Sequence, residues 1–161
     1  MNPFLAAKLS KMVRRDITPY FDVSAAVNRL GLTLPIWIYD AKLGDGALGV
    51  SFPMADKHCL LVDLLEVRRA VRENHADPSV RHYELEGQLP DRVPFTFENL
   101  LRADIVHEMS HLRISKAEAK RSEIFQEILG YDNDPEEERA RACGRELFPL
   151  VKITNLQMLQ L

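Results

Sequence analysis

The chain has 161 residues, of which 46% are hydrophobic, and its formal net charge is -3. This length is enough for one globular domain with a substantial core, spanning residues 1–161, and too short for two ordinary domains. The slightly acidic balance argues against a general affinity for nucleic acid or for an anionic membrane, and we expect neither as a partner.

Cysteine usage and hydropathy indicate the compartment. Cys59 and Cys143 are the two cysteines, and neither belongs to a C-x-x-C pair, which is typical of a reducing compartment rather than of a disulfide framework. No apolar run approaches the ~18 residues of a membrane span, and the N-terminus contains none of signal-peptide length. We therefore expect a cytoplasmic protein whose cysteines serve as small apolar residues.

Two short helices are predicted in residues 1–31. Apolar residues recur at helical spacing over residues 4–15, with basic residues on the opposite side, which predicts an amphipathic helix. Asp22 is placed to cap a second helix that would end at Gly31. We interpret both as packing helices, since no third helix follows that could act as a DNA-recognition helix.

Residues 32–63 have the composition of a small β-sheet. Three runs rich in β-branched and aromatic residues lie at 34–39, 47–52 and 58–62, the pattern of short strands. Glycine and proline turn signals separate the runs. We therefore predict a small antiparallel sheet.

A capped helix and an irregular segment follow the sheet. Asp63 would cap a charged helix. Residues 75–95 are rich in proline and contain only a short predicted strand at 82–85; loops of this length are usually functional or mobile. We interpret the two histidines of this segment, His75 and His82, as surface loop residues.

Further helices are predicted in residues 96–149. Thr96 would cap the first of them, which continues to about residue 113. Ser115 and Glu118 have capping-box spacing, which predicts a second helix over 116–129.

Asp134 and Pro135 give a third start signal, an N-cap followed by proline at the first helical position. This helix would end near Phe148, before Pro149. The tail at 150–161 is apolar, and we expect it to pack on the domain or on a second copy of the chain in a homo-oligomer.

The pentapeptide at 107–111 reads H-E-x-x-H and falls in the first of these three helices. Residues four apart lie about 40° apart around a helix axis, so His107 and His111 share one face and Glu108 projects between them. Two neutral imidazoles on consecutive turns can bind Zn²⁺, and the carboxylate can then take a proton from the water that the ion activates. The motif therefore predicts a zinc site with His107 and His111 as metal ligands and Glu108 as the catalytic base.

A catalytic zinc site needs a third protein ligand. The downstream carboxylates are Glu118, Glu123, Glu127, Asp134, Glu136, Glu137 and Glu138. On an unbroken motif helix Glu118 would lie ~10 Å and Glu123 ~18 Å beyond His111, out of reach. The ligand should come from a helix that turns back, and the third helix follows a return loop and begins with three glutamates. The pair Glu123 and Glu127 is an alternative, although its linker is very short.

The third helix resembles a segment of a known family. Residues 138–149 read E-R-A-R-A-C-G-R-E-L-F-P and resemble the E-A-N-x-F-A-A-x-L-L-M-P segment of ImmA/IrrE-type metallopeptidases, which follows their H-E-x-x-H by a few tens of residues. Aligned on Pro149, the glutamate ligand of the family falls on Glu138. The resemblance implies a zinc metallopeptidase of compact, zincin-like α+β fold, with a small antiparallel sheet packed on the motif helix and additional helices at both ends.

The same resemblance implies a partner. The substrate would be a protein, namely a DNA-binding transcriptional repressor that is cleaved to start a stress or mobile-element response. This inference rests on the family analogy alone.

Helical periodicity favours a different glutamate. Ala140, Cys143, Gly144 and Leu147 form one apolar stripe, and its backward extrapolation at about 100° per residue reaches Glu136 rather than Glu138. Glu136 is therefore the second candidate ligand. Glutamates in a first helical turn also interact favourably with the helix dipole, which accounts for at least two of the three.

Two further functions compete with this prediction. Residues 121–125 and 129–130 resemble the H-G-x-x-F and L-G elements of SprT-like proteases, which act on DNA-bound proteins, but Arg121 stands where that family has its histidine ligand. Alternatively, the chain is a non-catalytic, zincin-shaped interaction protein. Ala140 supports the latter, since it replaces the asparagine of the ImmA/IrrE segment.

Overall fold

Most strands lie in the first part of the chain and most helices follow them; this computed structural model describes residues 3–77, 89–113, 116–130 and 134–160. The helices are α1 (Pro3–Met12), α2 (Ser24–Leu30), α3 (Leu64–Ala76), α4 (Phe97–His111), α5 (Lys116–Leu129), α6 (Pro135–Leu147) and α7 (Leu156–Leu159). The strands are β1 (Val13–Asp16), β2 (Phe21–Asp22), β3 (Ile36–Ala41), β4 (Gly49–Pro53), β5 (His58–Val62) and β6 (Lys152–Ile153). The predicted α+β fold is confirmed.

The main sheet has four strands in the order β1-β3-β5-β4. Two of its pairs are antiparallel, β1 with β3 and β4 with β5, but β3 and β5 run parallel. The sheet is therefore mixed, which corrects the antiparallel arrangement that we predicted. β4 and β5 form a hairpin, and β5, whose side chains are mostly buried on both faces, takes one of the two interior positions of the sheet, as such a strand requires.

The first helix ends at Met12, earlier than predicted, because the next residues form β1 and pair with β3. Arg14 ties this strand down. Its Nη1 lies 3.1 Å from Asp40 Oδ1 and 2.8 Å from Asp63 Oδ1. Both carboxylates are buried, so a shared cation in this position favours the strand over a continued helix.

Predicted helix boundaries agree with the structure at four positions. The side chains of Asp63, Thr96 and Asp134 each accept an N–H of the first turn of α3, α4 and α6. Gly31 ends α2 with φ 68°, a left-handed conformation that glycine adopts without strain. Local side-chain chemistry therefore fixes these ends.

Several predictions fall outside the described residues. They are the short strand at 82–85, His82 and the capping residue Ser115. Within the described part of the chain, no helix is long and apolar enough to cross a membrane.

α4 is the central element of the fold. Most of its residues are buried, and it packs against α3, α6, β4 and β5. The inner face of the sheet, including Ile38, Leu60 and Val62, joins the core around α4. The histidine motif is therefore held at the C-terminal end of a helix that the core immobilises on most sides.

The opposite face of the sheet is covered by α1. Ala41, Cys59 and Leu61 form a second small cluster with Leu9 and with other half-buried side chains. Cys59 and Cys143 are free thiols, and Cys59 is buried whereas Cys143 is half-buried.

The C-terminal tail packs on its own domain. β6 pairs with β2, and Leu159 is fully buried in the core around α4. This is one of the two placements predicted for the tail.

Candidate metal centre

The two histidines of the motif meet at the end of α4. Their rings contact edge to face, with centroids 4.8 Å apart, and the two Nε2 atoms are separated by 3.2 Å. His107 is almost fully buried and His111 is mostly buried. The spacing of four residues thus does bring both imidazoles to one point.

Glu137, on α6, completes the group. Its Oε2 lies 3.1 Å from His107 Nε2 and its Oε1 lies 3.3 Å from His111 Nε2. The carboxylate is buried, with a relative side-chain exposure of 7%. Two nitrogens and a carboxylate oxygen therefore converge, and His107, His111 and Glu137 could hold a metal ion.

A close approach of α6 to α4 makes this convergence possible. A Cβ atom on Gly144 would lie 3.5 Å from the backbone N and Cα of His107. A side chain of one carbon would therefore just reach contact distance, and a larger side chain would not fit between the two helix backbones beside the histidine. Glu137 is two helical turns before Gly144 on the same buried face, so it faces the same histidine pair.

Glu136 and Arg139 support the group from outside. His111 Nδ1 lies 3.3 Å from Glu136 Oε1, and Arg139 holds that carboxylate with contacts of 2.6 and 2.9 Å. Arg139 also donates to the carbonyl oxygen of Ser110 at 2.9 Å, which ties α6 to the end of α4. A proton on Nδ1 that donates to Glu136 leaves the Nε2 lone pair of His111 for a metal.

Acidic neighbours raise the pKa of His111. Burial is the largest single influence and lowers it, but the hydrogen bond to Glu137 and the charges of Glu108, Glu137 and Glu136 together outweigh burial. The ring is therefore readily protonated. A metal ion would have to displace this proton, so metal binding should weaken as the pH falls.

Glu108 lies beside the group without belonging to it. Its carboxylate is buried, and Ser51 on β4 donates its hydroxyl to Oε2 at 3.4 Å. Burial raises the pKa of Glu108, while the neighbouring His107 and His111 partly offset this rise. A carboxylate with a raised pKa next to a metal group is suited to accept a proton and to return it.

Asp104 is a site residue that our sequence reasoning missed. It lies one turn before Glu108, is 2% exposed, and its Oδ2 has no hydrogen-bond partner in the structure as described. Its pKa is raised well above the ordinary value by burial and by the charge of Glu108. The signal was present, since Asp104 interrupts the apolar residues that precede His107.

Glu138, the predicted third ligand, is exposed on α6 and lies outside the group. The correction follows from helix geometry. The buried stripe of α6 consists of Glu137, Ala140, Gly144 and Leu147, so the residue three before Ala140 faces inward. Our extrapolation also used Cys143, which is only half-buried, and this shifted it to Glu136.

The remaining candidates lie elsewhere. Glu118, Glu123 and Glu127 are exposed on α5, as is Arg121, and none of them joins the histidines. His75 lies in the last turn of α3, which corrects its prediction as a loop residue, and its Nε2 lies 3.1 Å from the carbonyl oxygen of Phe95.

Comparisons of the chain with models of known protein families, with curated proteins and with solved structures found no match.

Proposed function

We propose that the chain is a zinc-dependent metallopeptidase. The observation that carries the proposal is the arrangement of His107, His111 and Glu137, with the buried carboxylate of Glu108 next to it. Two histidines and a glutamate form the protein ligand set of several zinc hydrolases, which leave a further position open for water or substrate. A separate carboxylate on the motif helix is the residue such chemistry requires as its base.

The distances within the group support zinc as the ion. Atoms bound to a tetrahedral zinc at about 2.0–2.1 Å are about 3.3–3.4 Å from one another. The two histidine Nε2 atoms are 3.2 Å apart. His107 Nε2 lies 3.1 Å from Oε2 of Glu137, and His111 Nε2 lies 3.3 Å from the other oxygen, Oε1. One ligand atom from each of the three residues lies within 4.8 Å of the others, so a small movement of the Glu137 carboxylate would bring one of its oxygens to the spacing that such an ion needs.

When bound, zinc would supply Lewis acidity, which activates water at neutral pH and polarises a carbonyl oxygen. His107, His111 and Glu137 would hold it, and Glu136 would keep His111 in the coordinating tautomer. Glu108 would accept a proton from the attacking water and pass it to the amide nitrogen as the C–N bond breaks. The raised pKa of Glu108 favours this role, because its protonated form must persist long enough to donate.

The substrate would bind as an extended peptide beside the motif helix. β4 is an edge strand of the main sheet and packs against α4, and its Ser51 contacts Glu108. A peptide that adds to β4 by main-chain hydrogen bonds would pass close to the proposed base. The exposed apolar residues of α5, Ile124, Ile128 and Leu129, offer a further contact for a protein substrate.

The resemblance of residues 138–149 to ImmA/IrrE-type metallopeptidases points to the substrate class, a DNA-binding transcriptional repressor. The position of Glu137 does not coincide with the glutamate ligand in the alignment with that family. Our proposed ligand lies one residue before the position that corresponds to the glutamate of the family. The likeness to SprT-like proteases has no support from Arg121, which is exposed on α5.

Metal content of purified variants tests the zinc site. We expect about one zinc per wild-type chain after dialysis against zinc, and its loss in His111→Ala and Glu137→Gln. Glu138→Gln is the matched control, since it changes the adjacent and exposed carboxylate of the same helix and should keep the zinc. Zinc retained by Glu137→Gln but lost from Glu138→Gln would contradict the assignment.

Proteolysis tests the catalytic role separately. Digestion of a proteome-derived peptide library should yield new termini with the wild type but not with Glu108→Gln, which should still bind zinc. In cells, termini that depend on Glu108 should occur in DNA-binding regulators. Cleavage that survives Glu108→Gln would rule out the proposed base, and cleavage confined to other proteins would rule out the repressor.

A further inference from the structure

A cavity of about 280 Å³ lies on the outer face of the sheet, away from α4. Leu9 of α1, Val13 of β1 and Met54 of the β4–β5 turn provide apolar walls. Cys59 and Tyr39 contribute from β5 and β3. Side chains alternate along each strand, so these sheet residues face away from the histidine group, and the cavity is a separate site.

The sheet residues that line the cavity are uncharged, although the carboxylate of Asp16 on β1 acts on Cys59 with an influence opposite to that of Lys57. Cys59 is fully buried, and burial raises the pKa of its thiol to about 11, so it remains a neutral thiol at pH 7. Neutral cysteine behaves as a small apolar side chain. The cavity therefore favours an apolar body, and its size lies just below the usual range for small-molecule sites.

Lys57 places one positive charge at the cavity. Its side chain is half-buried, and its Nζ lies 4.6 Å from the centroid of the Trp37 ring. No ion pair joins Lys57 to a carboxylate among the described residues, and an aromatic face offsets only part of the charge of an ammonium group. An anionic group that enters here would meet a cation without displacing an existing partner.

Aromatic surface adjoins this charge. Trp37 and Tyr39 stack with centroids 6.3 Å apart, and Trp37 is 38% exposed. A ligand bound against Lys57 would therefore lie beside the Trp37 ring. The chain contains a single tryptophan, so its fluorescence reports on this location.

We propose that this cavity binds a small organic carboxylic acid, with its carboxylate on Lys57 and its apolar body between Leu9, Val13 and Met54. The combination of one cation with apolar walls selects against two other kinds of ligand. A neutral apolar molecule leaves the ammonium unpaired, and a small polar anion such as acetate leaves the walls uncovered. The site does not depend on the proposed zinc chemistry, since α4 lies across the sheet.

Titration of the full chain with 4-phenylbutanoate tests the site, with Trp37 fluorescence and calorimetry as the two readouts. A ligand of this size should bind with a Kd on the order of 1 mM. The neutral 4-phenylbutanamide, which has the same body, should bind at least about tenfold more weakly, as should acetate. Octanoate distinguishes an aliphatic body from an aromatic one. Each measurement is made with zinc and with a chelator, and the affinities should agree.

Two variants separate the charge from the cavity. Lys57→Met should weaken binding of the acid about tenfold or more and bring it to the level of the amide. Val13→Phe should abolish binding of both by filling the space. Lys152→Met, which changes an exposed lysine on β6, is the matched control and should have no effect. Equal binding of acid and amide, an unchanged affinity in Lys57→Met, or no saturation up to about 10 mM would overturn the proposal.

Discussion

At the scale of single residues, two buried carboxyls on one turn of α4 dominate the electrostatics around the histidines. Asp104 and Glu108 are four residues apart, and both are almost fully buried. Glu108 has the hydroxyl of Ser51 nearby, whereas Asp104 lies against the backbone of Gly49, where even a Cβ atom would clash with its carboxyl group. Burial without compensating donors favours the protonated form of such a group.

Asp104→Asn should stabilise the fold at neutral pH. The pKa of Asp104 is raised in the folded chain, chiefly by burial, so the fold binds this proton more tightly than the unfolded chain does. The resulting stability is present below the unfolded pKa of about 3.9 and is lost as the pH rises through the folded pKa. The amide cannot ionise, so the variant should exceed the wild type by about 1–3 kcal/mol at pH 7.

Urea denaturation of both proteins between about pH 4 and about pH 8 measures this difference. The difference in the free energy of unfolding between Asp104→Asn and the wild type should narrow as the pH falls. Asp91→Asn, at an exposed position, should show no such dependence on pH. A variant that is less stable than the wild type at every pH would contradict the prediction.

The direction of a single side chain also determines which of the three glutamates at the start of α6 faces the histidines. Successive residues on a helix point about 100° apart, so Glu136, Glu137 and Glu138 face three different directions. Their identity is the same, and only the direction of the buried face distinguishes them. The sequence indicated the cluster, but a half-buried Cys143 was enough to shift the phase by one residue.

At the scale of elements, the contact between α4 and α6 sets the distance from His107 to Glu137. Gly144 lies where the helix backbones approach. Gly144→Ala should raise stability by about 0.5–1 kcal/mol, because glycine is unfavourable inside a helix and the added methyl meets His107 only at an ordinary contact distance of 3.5 Å. Gly144→Leu should lower stability by about 1–3 kcal/mol, since it forces the helices apart, and should weaken zinc binding.

Thermal denaturation and zinc titration measure both effects. Gly130→Ala provides the matched comparison, because Gly130 has φ 86° and alanine is strained in that conformation. Alanine should therefore stabilise the protein at position 144 and destabilise it at position 130. Unchanged zinc affinity in Gly144→Leu would show that the contact does not position Glu137.

Strand pairing, also a feature of the element scale, limits what can be predicted from the sequence. The runs that form β3, β4 and β5 are recognisable from composition, and β5 matches its predicted bounds. Their order in the sheet cannot be recognised from composition. β3 pairs directly with β5, although β4 comes between them in the sequence. Such pairing depends on which strand the rest of the core can bury on both faces.

At the scale of the whole molecule, a bound metal would join α4 to α6 and stabilise the fold. A ligand that binds only the folded chain at 100 times its Kd adds about 2.7 kcal/mol to the free energy of unfolding, which for a chain of this size is roughly 5–11 °C in Tm. We expect this shift with zinc for the wild type and for Glu138→Gln. It should be absent in Glu137→Gln, and differential scanning calorimetry with and without zinc would measure it.

An equal shift in Glu137→Gln would show that zinc stabilises the protein through other residues. Because the readout is stability, this measurement also separates loss of the metal from loss of catalysis in Glu108→Gln, which should retain the full shift.

The sequence by itself determined the features that depend on short range. The caps at Asp63, Thr96 and Asp134 and the convergence of His107 with His111 follow from residues within a few positions of each other. Only the tertiary structure decided which glutamate meets the histidines, which strands are interior to the sheet and that a cavity adjoins Lys57. These depend on how distant segments pack, and a shift of one residue in helix phase or strand order, which hardly changes local composition, brings a different side chain to the site.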